Sequence, residues 1–362
     1  MRCHRTVNHR AATVVQKAWL MLLSAMAVLL PVASAQESGK PPAQPFKVAF
    51  IGDTGYDPED TPALDADFEQ VLDLVQSEGA QLLAIAGDFA YAEETDVARV
   101  YFANINRLLG AQFPVLGEAG DHDDWAHYQP FFQARLETMG LHRTRLAGPD
   151  YGLRFGGIQW AVLGGPGKAA WVRAQFASAD EAWRVCLWHW TMHDMQPGDK
   201  EDEMDWASYR ACQEAGAIIV TGHEHVYGRT LTLTDVGNRQ AGHGATGRPD
   251  RLEVGPGRTF VAVSGLGGRS KRDYECAEHD DDTWWATVYT RNYYLRSGTP
   301  VAKNCAEGTQ EYETAVQGYT YGALFITFNA GGDPQKAEAY FKTINSDIID
   351  TFSIVKDGPS GQ

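Results

Sequence analysis

The chain has 362 residues, of which 44% are apolar and 22% are charged. This composition is typical of a globular protein with a full hydrophobic core and differs from that of a disordered tail. Acidic residues outnumber basic residues by 47 to 31, which gives a formal net charge of −16. That charge excludes duplex nucleic acid and anionic membranes as broad electrostatic partners.

The first 35 residues differ from the rest of the chain. A basic leader precedes an apolar run over residues 18–30, and Ala33, Ser34 and Ala35 form a small-residue cleavage pattern. The run is shorter than the roughly 20 residues that a membrane span needs, so a retained anchor is the weaker alternative. We predict a signal peptide over 1–35, cleaved after Ala35, and a secreted or periplasmic protein. Residues 36–45 are predicted to form a Pro-rich linker.

Four cysteines follow the predicted signal peptide: Cys186, Cys212, Cys276 and Cys305. In an oxidising compartment they could form two disulfides in any of three connectivities. We favour a Cys276–Cys305 pair, because both residues lie in a long polar segment that would gain from a cross-link. Cys186 and Cys212 lie in regular elements, where buried thiols are the simpler interpretation.

The first half of the chain reads as a β-α-β unit followed by a further helix and strand. The predicted elements are a strand over Phe46–Ile51, a helix over Thr61–Glu78, a strand over Leu82–Ala86, a helix over Thr95–Leu109 and a strand over Phe113–Leu116. Helices that alternate with strands favour a parallel sheet.

In the second half of the chain, the predicted strands and helices are shorter and follow one another more closely. Its predicted strands are Tyr151–Phe155, Ile158–Leu163, Arg184–Trp188, Ala217–Thr221 and Thr259–Ser264, with short helices over Ala169–Ser178 and Asp205–Glu214. A final β-meander is predicted over residues 323–355, and the segments 235–256 and 270–317 are predicted to be irregular. We therefore predict one domain over 46–357, a two-sheet α/β/β/α sandwich with a dinuclear metal site at the carboxyl ends of its strands.

Side chains with metal-ligand chemistry follow five of these strands. The clusters are Gly52-Asp53-Thr54-Gly55, Gly87-Asp88-Phe89-Ala90-Tyr91, Gly120-Asp121-His122-Asp123, Trp188-His189 and Gly222-His223-Glu224-His225. Ligands in open α/β sheets bind beyond the carboxyl ends of the strands, so these clusters are expected to meet. One Gly-Asp alone is more often a turn. Three carboxylates, three imidazoles and a phenol together supply enough donors for two cations.

These clusters resemble the motifs of the calcineurin-like metallophosphoesterase superfamily. Within it, the closer similarity is to the purple acid phosphatases, whose motifs match Asp53-Thr54-Gly55, Gly87 to Tyr91 and Gly222 to Tyr227. The resemblance covers roughly residues 46–357, which leaves no room for the separate N-terminal β-domain of the large plant enzymes. The chain therefore looks like the short, single-domain type.

The resemblance implies two metal ions. A ferric ion would be held by Asp53, Asp88, Tyr91 and His225, and a divalent ion (Fe, Zn or Mn) by Asp88, Asp121, His189 and His223. A phenolate and carboxylates suit a hard trivalent cation, whereas imidazoles suit a divalent one. Such a pair can hold a hydroxide for in-line attack on phosphorus.

His122 is not needed as a ligand, so it is free to protonate the departing alkoxide as a general acid. Asp123 either orients the His122 ring or is a plain turn residue. The predicted function is hydrolysis of small-molecule phosphate monoesters by an exported metal-dependent phosphatase. The two metal ions, rather than a Lys/Arg patch, would attract the anionic ester.

Two alternatives are carried with this prediction. The first is a phosphodiesterase of the same superfamily. The second is a carbohydrate- or protein-binding protein with an inactive metal site, because residues 271–317 are rich in aromatic side chains. The rings in question are Trp284, Trp285, Tyr289, Tyr293, Tyr294 and Tyr312. The plainer interpretation is that the rings cover the second sheet or shape the rim of the active site. The complete ligand set favours an enzyme.

One residue departs from the pattern in a way that predicts a change in selectivity. Asp121 stands where the family has Asn, which adds a negative charge beside a cation and is worth about 4 kcal/mol at 4 Å and an effective dielectric near 20. In an Asp121→Asn variant we expect weaker metal binding and a higher monoester-to-diester ratio of kcat/KM. Metal content and rates on one monoester and one diester measure both effects. Unchanged values for both would refute the charge argument.

Overall fold

The computed structural model describes residues 43–55, 62–91, 96–142, 144–177, 180–181, 183–305 and 316–356. The predicted signal peptide and most of the predicted linker lie outside these residues. The described strands are β1 (Phe46–Ile51), β2 (Leu82–Ala86), β3 (Val115–Glu118), β4 (Tyr151–Phe155), β5 (Ile158–Val162), β6 (Trp183–Leu187), β7 (Ile218–Thr221), β8 (Tyr227–Thr230), β9 (Arg251–Val254), β10 (Val261–Ser264), β11 (Trp285–Tyr289), β12 (Tyr293–Arg296), β13 (Thr299–Lys303), β14 (Gly322–Phe328), β15 (Lys336–Thr343) and β16 (Ile348–Lys356). The helices are α1 (Pro62–Ser77), α2 (Val97–Leu108), α3 (Trp125–Thr138), α4 (Ala169–Ala177), α5 (Trp206–Ala215) and α6 (Cys276–His279).

The strands form two sheets. The first has the order β3-β2-β1-β14-β15-β16-β9, and the second has the order β13-β12-β11-β8-β10-β7-β6-β5-β4. Strands β1, β2 and β3 run parallel in the first sheet, and β5, β6 and β7 run parallel in the second. Each sheet therefore has a group of parallel strands whose carboxyl ends lie along one edge, where loops can present ligands.

The two sheets pack face to face around the main core. The ring centroids of Phe50 on β1 and Trp160 on β5 lie 6.0 Å apart, and those of Tyr227 on β8 and Phe341 on β15 lie 4.2 Å apart. Helices α1 and α3 pack on the first sheet, whereas α4 and α5 pack on the second. The predicted α/β/β/α sandwich is confirmed.

A buried ion pair also joins the sheets. The Arg229 guanidinium on β8 donates to both carboxylate oxygens of Asp350 on β16, at 2.6 and 3.1 Å, and both side chains are fully buried. The Tyr227 hydroxyl donates to the same carboxylate at 2.8 Å. Removing one partner of such a pair typically costs about 3–5 kcal/mol, so these bonds help to fix how the sheets are aligned.

Some elements differ from the sequence prediction. Segment 235–256 was predicted to be irregular but contains β9, and segment 270–317 contains α6 and the three strands β11, β12 and β13. These strands are short and pair mainly in antiparallel hairpins whose register is irregular at two points, so no continuous apolar run marks them. Helix α3 was not predicted, and its Pro130 and mixed aromatic face obscure a helical period.

The structure joins Cys276 to Cys305 and also joins Cys186 to Cys212. The second bond corrects the interpretation of Cys186 and Cys212 as buried thiols. It connects β6 to α5, two elements that pack together but are 26 residues apart in sequence. Within the described residues, no helix combines the length and the apolar character needed to cross a membrane.

Candidate metal centre

The predicted ligands gather where the parallel strands of both sheets end. Asp53, Asp88 and Asp121 lie on the loops that follow β1, β2 and β3 of the first sheet. His189 and His223 follow β6 and β7 of the second sheet, and His225 lies on the short loop before β8. The site is therefore built between the two sheets, with carboxylates from one and imidazoles from the other.

The backbone turns sharply at three of these residues. Asp53, Asp88 and His223 adopt positive φ angles of 56°, 52° and 70°. Residues other than glycine rarely adopt this left-handed conformation, which costs of order 1–3 kcal/mol and concentrates at functional sites. At each of these three residues, the left-handed conformation directs the backbone away from the preceding strand and the side chain into the site.

Four side chains form a first group: Asp53, Asp88, Tyr91 and His225. Candidate ligand atoms of Asp53, Asp88 and His225 lie within 4.8 Å of one another, and all three residues are buried. The His225 Nε2 atom lies 3.4 Å from Asp53 Oδ1 and 3.3 Å from the Tyr91 hydroxyl. That hydroxyl donates to Asp88 Oδ2 at 2.7 Å.

A second group contains Asp121, His189 and His223, whose candidate ligand atoms also lie within 4.8 Å. The Asp121 Oδ1 atom lies 3.0 Å from His189 Nε2 and 3.2 Å from His223 Nδ1. Asp88 connects the two groups, because its Oδ1 atom lies 3.4 Å from His189 Nε2 while its Oδ2 atom meets Tyr91.

The donors fit a pair of cations. His189 donates its Nδ1 proton to the Ala86 carbonyl at 2.8 Å, and His223 directs Nε2 to the Glu203 carboxylate. The remaining nitrogens, His189 Nε2 and His223 Nδ1, face each other at 2.9 Å. In the first group, the buried Asp53 Oδ1 atom has no hydrogen-bond partner among the described residues. A cation in each group would satisfy these lone pairs.

Burial and mutual charge shift the pKa values of this cluster in opposite directions. Burial raises the pKa of Asp53 and lowers the pKa of His225. For Asp121, burial raises the pKa, but hydrogen bonds with His189 and His223 bring it below its usual value. For His189, burial lowers the pKa, but Asp88 and Asp121 raise it well above its usual value. The charges of these groups are therefore strongly interdependent.

His122 lies at the open side of the cluster. Its side chain is 50% exposed, its Nε2 atom lies 3.8 Å from Asp121 Oδ2, and its ring centroid lies 4.3 Å from that of Tyr91. It borders a cavity of about 380 Å³ that Asp121, Asp124 and His127 also line. The ring is therefore beside the candidate centre and accessible from solvent.

The hydrogen bonds of Asp123 go to the backbone. Its carboxylate accepts from the amides of Gly120 at 2.9 Å, Phe89 at 3.1 Å and Ala90 at 3.3 Å. Burial, with the neighbouring charge of Asp88, raises the pKa of Asp123 to about 7. Asp123 thus ties the β2 and β3 loops together, which fits the turn interpretation better than a contact with the His122 ring.

Two neighbours of the candidate ligands have little or no signal in the sequence. Ser270 Oγ lies 2.9 Å from His225 Nδ1, and Glu203 meets His223. Both lie on loops far in sequence from the histidines they contact. The only sequence signal for Glu203 is that it belongs to an acidic stretch after His189, which is also typical of a solvated loop.

The aromatic side chains of segment 271–317 do not form an exposed platform among the described residues. Trp284, Trp285, Tyr289 and Tyr293 are at most 8% exposed, and β11 and β12 carry three of them into the second sheet. Tyr312 lies outside the described residues. The interpretation of these rings as cover for the second sheet fits their burial, and a sugar-binding surface has no support here.

Sites that hold two metal ions occur in phosphatases, nucleases and aminopeptidases. The family model for calcineurin-like phosphoesterases matches residues 46–227, which include every candidate ligand. The chain belongs to this family. Family membership implies a dinuclear metal site, which the two groups of donors can accommodate.

Solved structures share the fold at low sequence identity. A purple acid phosphatase, PPD1, isolated from yellow lupin (Lupinus luteus) seeds matches with a TM-score of 0.60 and 14% identity, over 87% of this chain and 55% of the lupin chain. This protein thus spans little more than half the length of the lupin enzyme. GAP50, the anchor in the inner membrane complex of Plasmodium, matches with a TM-score of 0.50 and 8% identity, over 87% and 90% of the two chains. No curated protein matches by sequence.

The close approach of Gly120 to Asp88 provides a test of the site's geometry. A Cβ atom at Gly120 would lie 2.1 Å from Asp88 Oδ1, so Gly120→Ala should displace the carboxylate that connects the two groups. We expect fewer than two metal ions per chain, measured by elemental analysis after equilibration with metal. Gly148→Ala is the matched control, because a Cβ atom there meets nothing within 4 Å. Full metal content in both variants would contradict the proposed connection.

Proposed function

We propose that this protein is an exported phosphatase that hydrolyses phosphate monoesters at an Fe(III)–divalent metal pair. The observation that carries the proposal is the arrangement of two donor groups, connected by Asp88, beside the accessible ring of His122. Two bound cations would supply Lewis acidity for the phosphoryl oxygens and a nucleophile from water. The donor sets themselves distinguish the two positions.

The first group is the harder donor set. Asp53, Asp88 and Tyr91 offer two carboxylates and a phenol oxygen, and His225 adds one nitrogen. The second group has two imidazoles and the Asp121 carboxylate, with Asp88 adjacent. Oxygen-rich sites favour a hard trivalent cation, whereas imidazoles favour a borderline divalent ion such as Zn, Fe or Mn. This difference supports iron in the first group.

His122 is the proposed general acid. It borders the cavity of about 380 Å³, and neither of its ring nitrogens forms a hydrogen bond with another described residue. An alkoxide leaving into that cavity would meet the ring and accept its proton. Asp121 Oδ2 lies 3.8 Å from the His122 Nε2 atom, so the ring is also next to the second donor group.

Phosphodiester hydrolysis is a second candidate, and Asp121 is the observation that favours it. A carboxylate at this position repels a dianionic monoester more strongly than a monoanionic diester. Its side chain is 34% exposed, so solvent and a bound cation both reduce the repulsion. We therefore retain the monoester as the first proposal.

Export is proposed from the N-terminal pattern and is supported by the disulfides. The sequence of residues 1–35 has the basic leader, apolar run and small-residue cleavage pattern of a signal peptide. The two disulfides of the structure are typical of proteins that fold in oxidising compartments such as the periplasm or the extracellular space.

The role of His122 predicts a dependence on the leaving group. In His122→Gln, kcat should fall about 10²–10⁴-fold for an alkyl phosphate, since general acid catalysis contributes that much. The loss should be much smaller for 4-nitrophenyl phosphate, whose leaving group departs without a proton. His142→Gln is the control, because His142 is exposed and lies outside the site. Equal losses on both substrates would show that His122 does not act as the acid.

The proposed phenolate predicts a coloured protein. A phenolate bound to Fe(III) absorbs visible light, so the iron-loaded protein should be pink or purple and Tyr91→Phe should bleach it. Removal of metal with a chelator should abolish both colour and hydrolysis, and visible spectra with rate assays measure each. A colourless yet active protein that holds only Mn or Zn would reject iron and the phenolate while leaving the phosphoesterase assignment intact.

A further inference from the structure

Each histidine of the candidate centre uses its second ring nitrogen for a different kind of partner. His189 donates Nδ1 to the backbone carbonyl of Ala86 at 2.8 Å. His225 places Nδ1 2.9 Å from the Ser270 hydroxyl. His223 is the exception among the three, because its Nε2 atom meets a carboxylate, that of Glu203. An anionic partner has consequences that a carbonyl or hydroxyl does not.

The loop after His189 delivers Glu203 to this position. The backbone amides of Glu203 and Met204 donate to the Thr191 carbonyl at 2.9 and 3.1 Å, which folds the loop back toward the site. Asp205 then caps α5 by accepting from the Ser208 amide at 2.8 Å. The position of Glu203 is thus fixed by its backbone hydrogen bond to Thr191 and by the start of α5 two to three residues later.

Burial differs sharply between the two partners. The His223 side chain is 1% exposed, whereas the Glu203 side chain is 35% exposed. The Glu203 carboxylate at the rim keeps contact with water while it still reaches the buried His223 ring. The pair therefore avoids the desolvation penalty that a fully buried carboxylate would incur.

We infer that Glu203 is a positioning residue for His223 and controls metal binding by the second group. This inference rests on the metal-ligand role proposed above for His223. The Glu203 carboxylate fixes the ring proton on Nε2, so Nδ1 keeps a lone pair directed at the site. That Nδ1 atom lies 3.2 Å from Asp121 Oδ1 and 2.9 Å from His189 Nε2. The negative charge also makes the imidazole a stronger donor.

The effect should be confined to one of the two metal positions. His225, in the first group, has a neutral hydroxyl partner, and its ring belongs with Asp53 and Tyr91 instead. Glu203 contacts His223 and no ligand of the first group in the described part of the chain. Loss of Glu203 should therefore weaken one metal site and leave the other unchanged.

Two substitutions separate the charge of Glu203 from its hydrogen bond. Glu203→Gln removes the charge but keeps an oxygen that can accept the Nε2 proton, whereas Glu203→Ala removes both. We expect the affinity of one of the two Zn²⁺ sites to fall about 10-fold in the first variant and up to about 100-fold in the second. Titration of the full-length metal-free protein with Zn²⁺ against a competing chelator measures both sites. Glu201→Gln is the matched control, an exposed glutamate on the same loop.

A second measurement needs no metal. Long-range ¹⁵N correlation spectra of the metal-free protein report which ring nitrogen of His223 carries the proton. We expect the Nε2–H form in the native protein and in Glu203→Gln, and a mixture of both forms in Glu203→Ala. The thermal midpoint of each metal-free variant verifies that it is folded, and the isosteric Gln variant tests the charge even if the Ala variant is unstable.

The outcomes separate this inference from the proposed function. If the native protein binds two Zn²⁺ ions and both Glu203 variants bind them with unchanged constants, Glu203 has no positioning role and the proposed function stands. If both sites weaken equally, the confinement to the second group is wrong and the inference is overturned. If the native protein binds no second ion, the dinuclear centre fails, and the role of Glu203 falls with it.

Discussion

The candidate centre is governed by one electrostatic constraint: buried carboxylates and imidazole lone pairs meet where the two sheets end. Asp53 and Asp88 are at most 1% exposed, and burial of an uncompensated carboxylate costs several kcal/mol. The raised pKa of Asp53 and the lowered pKa of His225 have the same cause, because burial disfavours the charged form of each group. A metal ligand must be deprotonated, so metal binding and proton release would be linked.

Such a crowded site persists only if the surrounding frame is rigid. The left-handed turns at Asp53, Asp88 and His223 are each strained, and the sheets must offset that strain. Close packing leaves the loops little freedom: a Cβ atom at Gly87 would lie 2.6 Å from His189 Nδ1. The Asp123 carboxylate accepts hydrogen bonds from backbone amides of both the β2 and the β3 loop and so links them. The frame thus fixes donor positions before any cation arrives, which lowers the reorganisation that binding would otherwise require.

The sequence predicts the strands that deliver most of the ligands, because β1, β2, β6 and β7 are largely apolar runs followed by a Gly-Asp, a His or a Gly-His. Those runs are buried in the core between the sheets, so composition and position agree. The sequence does not predict strands β11, β12 and β13 or helix α3, because their apolar residues follow no clear period of 2 or 3.6. The contact of Glu203 with His223 and the Cys186–Cys212 disulfide are not predicted for a different reason. Each joins positions 20 or more residues apart through a loop or helix whose path only the tertiary fold determines.

The acidic composition of the chain is compatible with the proposed anionic substrate because charges act mainly at short range. A formal charge of −16 repels a phosphate ester at long range, but salt screens exposed charges beyond about 10 Å at 0.1 M. Within that distance, the basic side chains near the site have the largest effect on an anionic ligand. The Arg269 guanidinium lies 4.1 Å from the centre of the Tyr91 ring, whereas Arg272 lies 3.3 Å from the Glu224 carboxylate and is largely neutralised by it. In the described part of the chain these two arginines do not offset the carboxylates of Asp53, Asp88, Asp121 and Glu203, so the proposed attraction for phosphate would depend on the two proposed metal ions.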